Sequence, residues 1–533
     1  LLKKDFKPSD KYHAISVIDS FLNMNNKKYL LGLLVLSLIL WLICLGNLPL
    51  RDWDEGTYAI VAREIYRTHN WLYPTLQGEA FLLKPPLMQW LIALCYQLGG
   101  VQEFTTRFPG AFLTALGVPL LYLVGRLIFT ENLPAIFSAL VYLTLLPVVR
   151  HGRLAMLDGM TISFFLLLVF CILKAKYHKK YALGIGFCLG LMTLTKGMLV
   201  VVLGGMAALF VFVNRQLSLL KNPFLWLGMF FGNAPAIAWY FCQWQHYGNV
   251  FLQVHFQSQA FDRLGQAVEG NTGPIWYYLL ELLKYGFPWL LFLPGGLYLS
   301  WQKRHTAWGS LIIIGTVIYL TIISLMRTKL PWYVMPVYPF LALAIGVYLS
   351  EIWQGYKSKF LFFWGFFIFL TTVGLAGCVY FSIADKKQLI LILMSIILAI
   401  TMGITAWLIK RHNRQFIPVL FSGMYLVLAL LMSSQSWVWE LNEAFPVKPV
   451  AELIRQHIPP GTKIYTSFGY GRPSLDFYSD CKVIAVPIST LQEMLSNKSY
   501  LLVDNSTLKQ VNFFGGKIMG ATTDFTLISP EDN

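Results

Sequence analysis

Long apolar runs, broken by short polar turns, occupy most of this chain. A helix rises 1.5 Å per residue, so about 20 apolar residues are needed to cross the hydrocarbon core of a bilayer. Thirteen segments read as spans, near residues 29–50, 108–129, 133–149, 159–175, 181–195, 197–213, 223–242, 285–301, 308–325, 331–350, 360–380, 388–408 and 416–435. The first is too long, and too poorly flanked by small residues, for a cleaved signal peptide, and reads as a retained helix. Pro85–Gly99 is also apolar, but it is short and begins at proline, so it reads as an interfacial helix. In the segment after the first span, Tyr58, Val61, Ala62, Ile65 and Tyr66 recur at helical spacing, with Arg63, Glu64 and Arg67 largely between them. That pattern predicts an amphipathic helix able to lie on the membrane surface.

The pattern changes after about residue 435. Apolar runs shorten and charge rises. Helices are expected at Val450–His457 and Ser489–Ser496, with strands at Lys463–Ser467, Lys482–Val486, Tyr500–Val503 and near Lys517–Ile528. Such alternation predicts a small α/β domain. The expected fold class is therefore a polytopic α-helical membrane protein with about thirteen spans, residues 1–435, carrying a soluble C-terminal α/β domain, residues 436–533.

Composition agrees: of 533 residues, 56% are hydrophobic and only 13% charged, against about 25% charged in soluble domains. The net charge of +16 does not indicate nucleic acid, because the basic residues fall in short loops between spans, where membrane orientation is encoded. With the N-terminus inside, the inner loops hold Lys174, Lys176, Lys179, Lys180, Arg215, Lys221, Lys303, Arg304, Lys357, Lys359, Lys410, Arg411 and Arg414. The N-terminal arm adds Lys3, Lys4, Lys11, Lys27 and Lys28. Lys386 and Lys387 are the exception. This arrangement places the C-terminal domain outside. The outer face also receives 51–107, 150–158, Thr195-Lys196-Gly197, the long loop 243–284 and the turn 326–331. Seven cysteines are scattered, with no metal or disulfide spacing.

Polar chemistry thus gathers on one side. Arg51-Asp52-Trp53-Asp54-Glu55 follows directly on the first span. Asp54, at the start of the amphipathic helix, suits either an N-cap or an exposed carboxylate at the membrane surface, and the two roles are compatible. Lys84 precedes Pro85-Pro86, which makes its backbone extended and stiff. It reads as a phosphate ligand at headgroup level or as a snorkelling lysine.

Asp54-Glu55-x-x-Tyr58, Trp71-x-x-Pro74 and Lys84-Pro85-Pro86-x-x-x-Trp90, in that order, resemble the bacterial aminoarabinose transferases that modify lipid A. They also resemble the wider protein O-mannosyltransferase superfamily of GT-C fold glycosyltransferases. His151-Gly152-Arg153-Leu154-Ala155-Met156-Leu157-Asp158, Leu194-Thr195-Lys196-Gly197 and Thr328-Lys329-Leu330-Pro331-Trp332-Tyr333-Val334-Met335-Pro336 extend the resemblance over about residues 29 to 345. It implies transfer of a sugar from a polyprenyl-phosphate donor to a lipid, glycan or protein acceptor on the outer face of the cytoplasmic membrane. By resemblance, Asp54 matches the catalytic aspartate, Asp158 the second acidic position, and Lys84, Arg263 and Tyr333 the phosphate-contacting positions.

The chemistry suits these residue types. Departure of a lipid phosphate builds negative charge that cations must hold, and Lys84, Arg263, Lys329 and Tyr333 are the outer-face candidates. Lys196 is either a phosphate contact or an end-of-span anchor. A carboxylate must take or orient the acceptor's proton. The chain has no P-loop or GxGxxG, so the activated lipid itself must supply the energy, and a single inverting displacement is expected because no second carboxylate pairs obviously as a covalent nucleophile. One departure stands out: Leu83 occupies the place of the acidic residue that precedes Lys-Pro in the aminoarabinose transferases. In some members that acid joins a histidine in binding a metal. A divalent ion would then rest on His151, Asp158 and His255, although no ligand spacing supports it. The competing reading is a polyprenyl-lipid or glycolipid flippase, which predicts ionisable groups deep within several spans or paired broken helices.

Overall fold

Apolar length decides which of the expected spans become full-length helices. The computed structural model describes residues 24–265, 270–355, 361–383, 388–443, 445–510, 513 and 515–530. Lys3, Lys4, Lys11, Lys357, Lys359, Lys386 and Lys387, used above to orient the chain, lie outside the described residues. All thirteen apolar segments are mainly helical. Among the described residues, eight helices are long and apolar enough to cross a membrane, or nine if the pair Asn132–Leu143 and Leu146–Arg153, bent by 56°, is one span. The estimate of thirteen spans is therefore not met by length. Ala182–Lys196 and Leu199–Val213 have 15 residues each, about 22 Å at helical rise. Met24–Leu42 opens with the polar residues Asn25, Asn26, Lys27 and Lys28, which shortens its apolar part. Leu87–Gly99, at 13 residues, is too short to span, as expected for an interfacial helix.

The chain forms two compact units. One contains Leu1–Cys44, Leu82–Leu87 and Gly110–Trp437; the other contains Leu45–Phe81, Met88–Pro109 and Val438–Asn533. The second unit therefore draws on the segment after the first span as well as on the tail.

Within the first unit, Ala182–Lys196 packs on the 25-residue helix Pro223–Tyr247. Gly186 and Gly190 on one helix meet Gly228 and Gly232 on the other. A Cβ added at Gly190 would lie 1.9 Å from the Gly232 carbonyl oxygen. Small residues at this spacing let helix backbones approach closely in lipid, where packing drives association. Gly190→Ala is expected to force the helices apart and cost about 1–3 kcal/mol or more. Thermal unfolding in detergent checks this: the melt should fall by several degrees, and an unchanged melt would contradict the close packing.

In the second unit, β1 (Thr75–Leu76) and β2 (Glu79–Ala80) form a small hairpin. The tail builds a five-stranded sheet from β3 (Lys463–Thr466), β4 (Lys482–Ala485), β5 (Tyr500–Asp504), β6 (Gly516–Ala521) and β7 (Phe525–Pro530), in the order β4-β3-β5-β7-β6. β3 pairs in parallel with β4 and β5, while β7 is antiparallel to β5 and β6. The single strand expected near Lys517–Ile528 is thus a hairpin, with Thr522-Thr523-Asp524 as its turn. Alternation along β5 splits the core. Leu502 faces Val450, Ile454 and Ile464, whereas Leu501 and Val503 face Leu491 and Leu495.

The helix Pro473–Ser479 was not expected. Its Asp476 accepts hydrogen bonds from the Val483 amide (3.0 Å) and the Gln77 side-chain amide (2.5 Å). Burial pushes the Asp476 carboxyl up to about 6 from 3.8, with Val483, Gln77, Arg63 and Lys482 opposing. Between those values the unfolded chain releases a proton that the folded one retains, so rising pH favours unfolding, and the full penalty is present above pH 6. A shift of this size corresponds to about 3 kcal/mol. Asp476→Asn is therefore expected to gain stability relative to wild type as pH rises from 4 to 7. A difference in melting temperature that stays constant over that range would refute it.

Candidate functional site

The acidic segment after the first span holds three carboxylates with three environments, all within the second unit. The helix Asp54–Thr68 begins immediately after Trp53, and no side chain caps it. Asp54 is therefore not the N-cap. Glu55 is fully buried against Arg107, itself fully buried, with Nε donating to Oε1 at 2.8 Å and Nη2 to Oε2 at 2.9 Å. Glu55 also accepts the Arg51 amide at 2.7 Å. Asp52 accepts from Arg472 Nε at 2.8 Å and from the Ser474 amide and hydroxyl. Asp54 is half-buried, and its carboxylate accepts from the Tyr58 hydroxyl at 3.2 Å. Trp53, between Asp52 and Asp54, is 57% exposed and has φ +66° and ψ −120°, a backbone state that a residue with a bulky side chain adopts only under strain.

The helix bearing these acids does not present its apolar face to a membrane surface. Ala59 and Ile60 are buried with Leu50 and Phe477, and Arg63 donates to the Phe477 carbonyl at 2.6 Å. Glu64 accepts from Thr75, Gln77 and Gly78, and so fixes the β1–β2 turn.

The first unit brings together a second group. Asp158, in the first turn of Leu157–Ala175, pairs with Lys196 and lies 3.6 Å from His151 Nε2. The Lys196 ammonium stands 5.7 Å from the centre of the Tyr333 ring, and His151 stacks on Trp332 at 6.0 Å. Asp158 and His151, from one motif, form a cluster with Lys196 and Tyr333, from two distant ones. Arg153, from the same motif, is wholly buried and donates to the carbonyls of Leu40 (2.7 Å) and Ile43 (2.6 Å). It holds the end of the first helix.

Lys84 belongs to a third group, also in the first unit. His255 carries hydrogen bonds on both ring nitrogens, Nδ1 to the Leu82 carbonyl at 3.2 Å and Nε2 with the Tyr240 hydroxyl at 2.8 Å. Burial, helped by the nearby Lys84 charge, pushes the His255 imidazole down to about 4 and outweighs the Leu82 hydrogen bond. Gly197 turns with φ +54° directly against Tyr240 and His255, so a Cβ there would lie 3.0 Å from the Tyr240 oxygen and 3.1 Å from His255 Nε2. The Thr-Lys-Gly turn is thus tied to the Lys-Pro-Pro segment. Tyr240 was missed by sequence reasoning, since a tyrosine ending an apolar helix is indistinguishable from an interfacial anchor.

Two remaining candidates behave differently. Lys329 is 4% exposed, and its ammonium donates to the carbonyls of Ile323 (3.1 Å), Ser324 (2.7 Å) and Met326 (2.5 Å). All three of its donors cap the helix Tyr319–Leu325, which leaves none for a phosphate in this conformation. Arg263 lies in the short helix Asp262–Gly265, and its side chain lies outside the described residues.

The metal reading does not fit these side chains. Leu83 occupies the acidic position, both nitrogens of His255 are hydrogen-bonded within the protein, and His151 faces Asp158, which Lys196 already neutralises. Among the described residues no group of three or more His, Cys, Asp or Glu could hold a metal ion.

Comparison with known proteins agrees with the fold and its motifs. The family model described as dolichyl-phosphate-mannose-protein mannosyltransferase matches residues 83–240. The undecaprenyl phosphate-alpha-4-amino-4-deoxy-L-arabinose arabinosyl transferase 1 of Pseudomonas fluorescens is 26% identical over 444 residues, 80% of this chain and 80% of that protein. The corresponding transferase of an Enterobacter species is 28% identical over 343 residues, 62% of this chain and 61% of its own length. Among solved structures, ArnT from Cupriavidus metallidurans bound to undecaprenyl phosphate superposes with a TM-score of 0.77 at 17% identity, over 94% of this chain and 98% of that one. The archaeal oligosaccharyltransferase AglB from Archaeoglobus fulgidus, in complex with an inhibitory peptide and a dolichol-phosphate, gives 0.54 at 13% identity, over 91% and 70%. The chain is a multi-pass membrane glycosyltransferase of GT-C fold, a relative of the aminoarabinose transferases and of the dolichyl-phosphate-mannose-protein mannosyltransferases.

Proposed function

We propose that this enzyme moves a sugar from a polyprenyl phosphate to a lipid, glycan or protein acceptor on the outer face of the cytoplasmic membrane, with Asp54 as general base. One observation carries the assignment of the base. Of the three carboxylates at the end of the first span, Glu55 and Asp52 are each consumed by a buried arginine, whereas Asp54 stays half-exposed with a tyrosine hydroxyl as its neighbour. A base must reach its substrate's proton, and Asp54 is the one of the three left available to do so.

The leaving lipid phosphate needs cations where its charge develops. Lys84 is the first candidate, on a backbone stiffened by Pro85 and Pro86, beside an imidazole that burial keeps neutral. Arg263 and Tyr333 are further candidates by resemblance. Asp158 holds Lys196 in place beside Tyr333 rather than acting on the acceptor. A cavity of about 530 Å³ lined by Thr193, Met229, Asn233, Ile237 and Tyr240 suits the apolar tail of the donor and reaches the tyrosine that contacts His255. The basic loops support an N-terminus inside and the sheet domain outside. A single displacement with inversion at the sugar is the expected course.

Purified protein in detergent, offered a panel of undecaprenyl-phosphate sugars together with lipid A, tests this reading. Turnover with one donor, lost on Lys84→Ala and on Asp54→Asn, is the expected result. Lipid binding with no turnover for any donor would overturn the transferase reading in favour of lipid movement.

A further inference from the structure

The tail domain touches the acidic segment on both sides of Asp54, at Asp52, Trp53 and Gly56. Arg472, 4% exposed, donates to Asp52 at 2.8 Å and to the Phe445 carbonyl at 2.9 Å, and its guanidinium lies 4.1 Å from the centre of the Phe445 ring. Ser474 binds Asp52 through both its amide and its hydroxyl. Tyr470 stacks on Trp53, with ring centres 5.8 Å apart and planes 18° from parallel. Gly56 admits the chain at Pro473–Ser474, where a Cβ would lie 2.8 Å from the Ser474 nitrogen. Residues 52, 53 and 56 are therefore each held by the five-residue stretch 470–474, and residue 54 lies among them.

The backbone at Trp53 needs such support. Its φ of +66° with ψ −120° is a state that glycine tolerates and a bulky residue does not, so neighbouring contacts must impose it. Strain of this kind collects where a side chain has to be aimed. Turning the chain at Trp53 is what sends Asp52 to Arg472 while leaving Asp54 outside that ion pair.

We infer that the loop Tyr470–Ser474 of the C-terminal domain is a clamp that aims Asp54, with Tyr470 and Arg472 as positioning residues for the transfer reaction. The inference rests on the reading of Asp54 as the base. The tail domain is then a working part of the enzyme, because a base displaced by about 1 Å can lose about 100-fold in rate. Supporting groups of this kind set the geometry of a site without touching substrate.

The test uses the full chain in detergent and the donor of the panel above with the highest turnover. Tyr470→Ala, Tyr470→Phe, Arg472→Gln and Asp54→Asn are compared by kcat, donor KM and thermal melt. Tyr470 is 39% exposed, so its truncation should leave the melt near wild type. The expected result is a kcat about 10- to 100-fold lower for Tyr470→Ala with donor KM little changed, and near wild-type kcat for Tyr470→Phe, which keeps the stack. Arg472→Gln should lower kcat in the same way where it folds, and Tyr470→Ala carries the test if it does not. An inactive Asp54→Asn beside a fully active Tyr470→Ala would overturn the clamp and leave the base in place. A fully active Asp54→Asn would overturn the base, and the clamp with it.

Discussion

Asp54→Asn is expected to abolish sugar transfer, lowering kcat by about 10²- to 10⁴-fold, the usual contribution of a general base, in a protein that still folds and binds its donor. The substitution keeps the shape of the side chain. Its amide oxygen can still accept from Tyr58, which donates to Asp54 at 3.2 Å, and no cap depends on the residue. What is lost is the ability to take a proton. Neither neighbour can stand in: Glu55 is sealed against Arg107, and Asp52 is bound to Arg472 and Ser474. Single-turnover transfer measured beside a thermal melt separates the chemical loss from any structural one. An Asp54→Asn enzyme retaining more than about a tenth of wild-type kcat would place the base elsewhere.

Arg107→Ala is expected to prevent the protein from reaching its folded state. All five N–H groups of the guanidinium are used: two on Glu55, two on the carbonyls of Leu45 (3.1 Å) and Leu48 (2.8 Å), and one on Pro49 (2.7 Å). Arg107 and Glu55 are both without solvent exposure. Removing the arginine strands a buried carboxylate and three carbonyls at the end of the first span. Breaking a buried pair from one side costs about 3–5 kcal/mol, a large part of the 5–15 kcal/mol by which a domain is stable. Size-exclusion profiles and melts in detergent check this, with aggregated or unrecoverable protein expected for Arg107→Ala and for Glu55→Ala. The double variant Glu55→Gln with Arg107→Met should recover part of the loss, since it removes both charges together. A monodisperse Arg107→Ala protein with a wild-type melt would show that the pair does not hold the segment.

The helical architecture was legible in the chain because it depends on local runs. An apolar stretch in lipid has no choice but to satisfy its backbone internally, and each of the thirteen stretches is mainly helical. The number able to cross was less legible, because length is set by where polar residues interrupt the run, as at Asn25–Lys28 and around Lys196-Gly197. In the tail, strands β3, β4 and β5 fall on the runs expected at Lys463–Ser467, Lys482–Val486 and Tyr500–Val503. The helix Pro473–Ser479 escaped notice because its seven residues are too few for a helical period to show, and its stability comes from packing on Leu50, Ala59 and Ile60 through Phe477.

The site divides in the same way. The motifs singled out Asp54, Lys84, Asp158, Lys196, Lys329 and Tyr333 as polar residues at span ends, and that much follows from a chain in which charge is confined to the edges of the membrane. Which of them is engaged, and with what, is a matter of partners far away in sequence. Lys329 is spent on carbonyls at the end of the preceding helix, and Lys196 on Asp158, 38 residues earlier. The roles of Asp52, Asp54 and Glu55, four positions wide in the chain, are separated by Arg472, 420 residues from Asp52, and by Arg107, 52 residues from Glu55. The hydrophobic pattern by itself determined a membrane helix bundle with its charged residues at the edges and a small sheet domain after it. Only the tertiary structure decided which carboxylate stays open, because a charge buried against a distant arginine and a charge left at the surface are written with the same residue type.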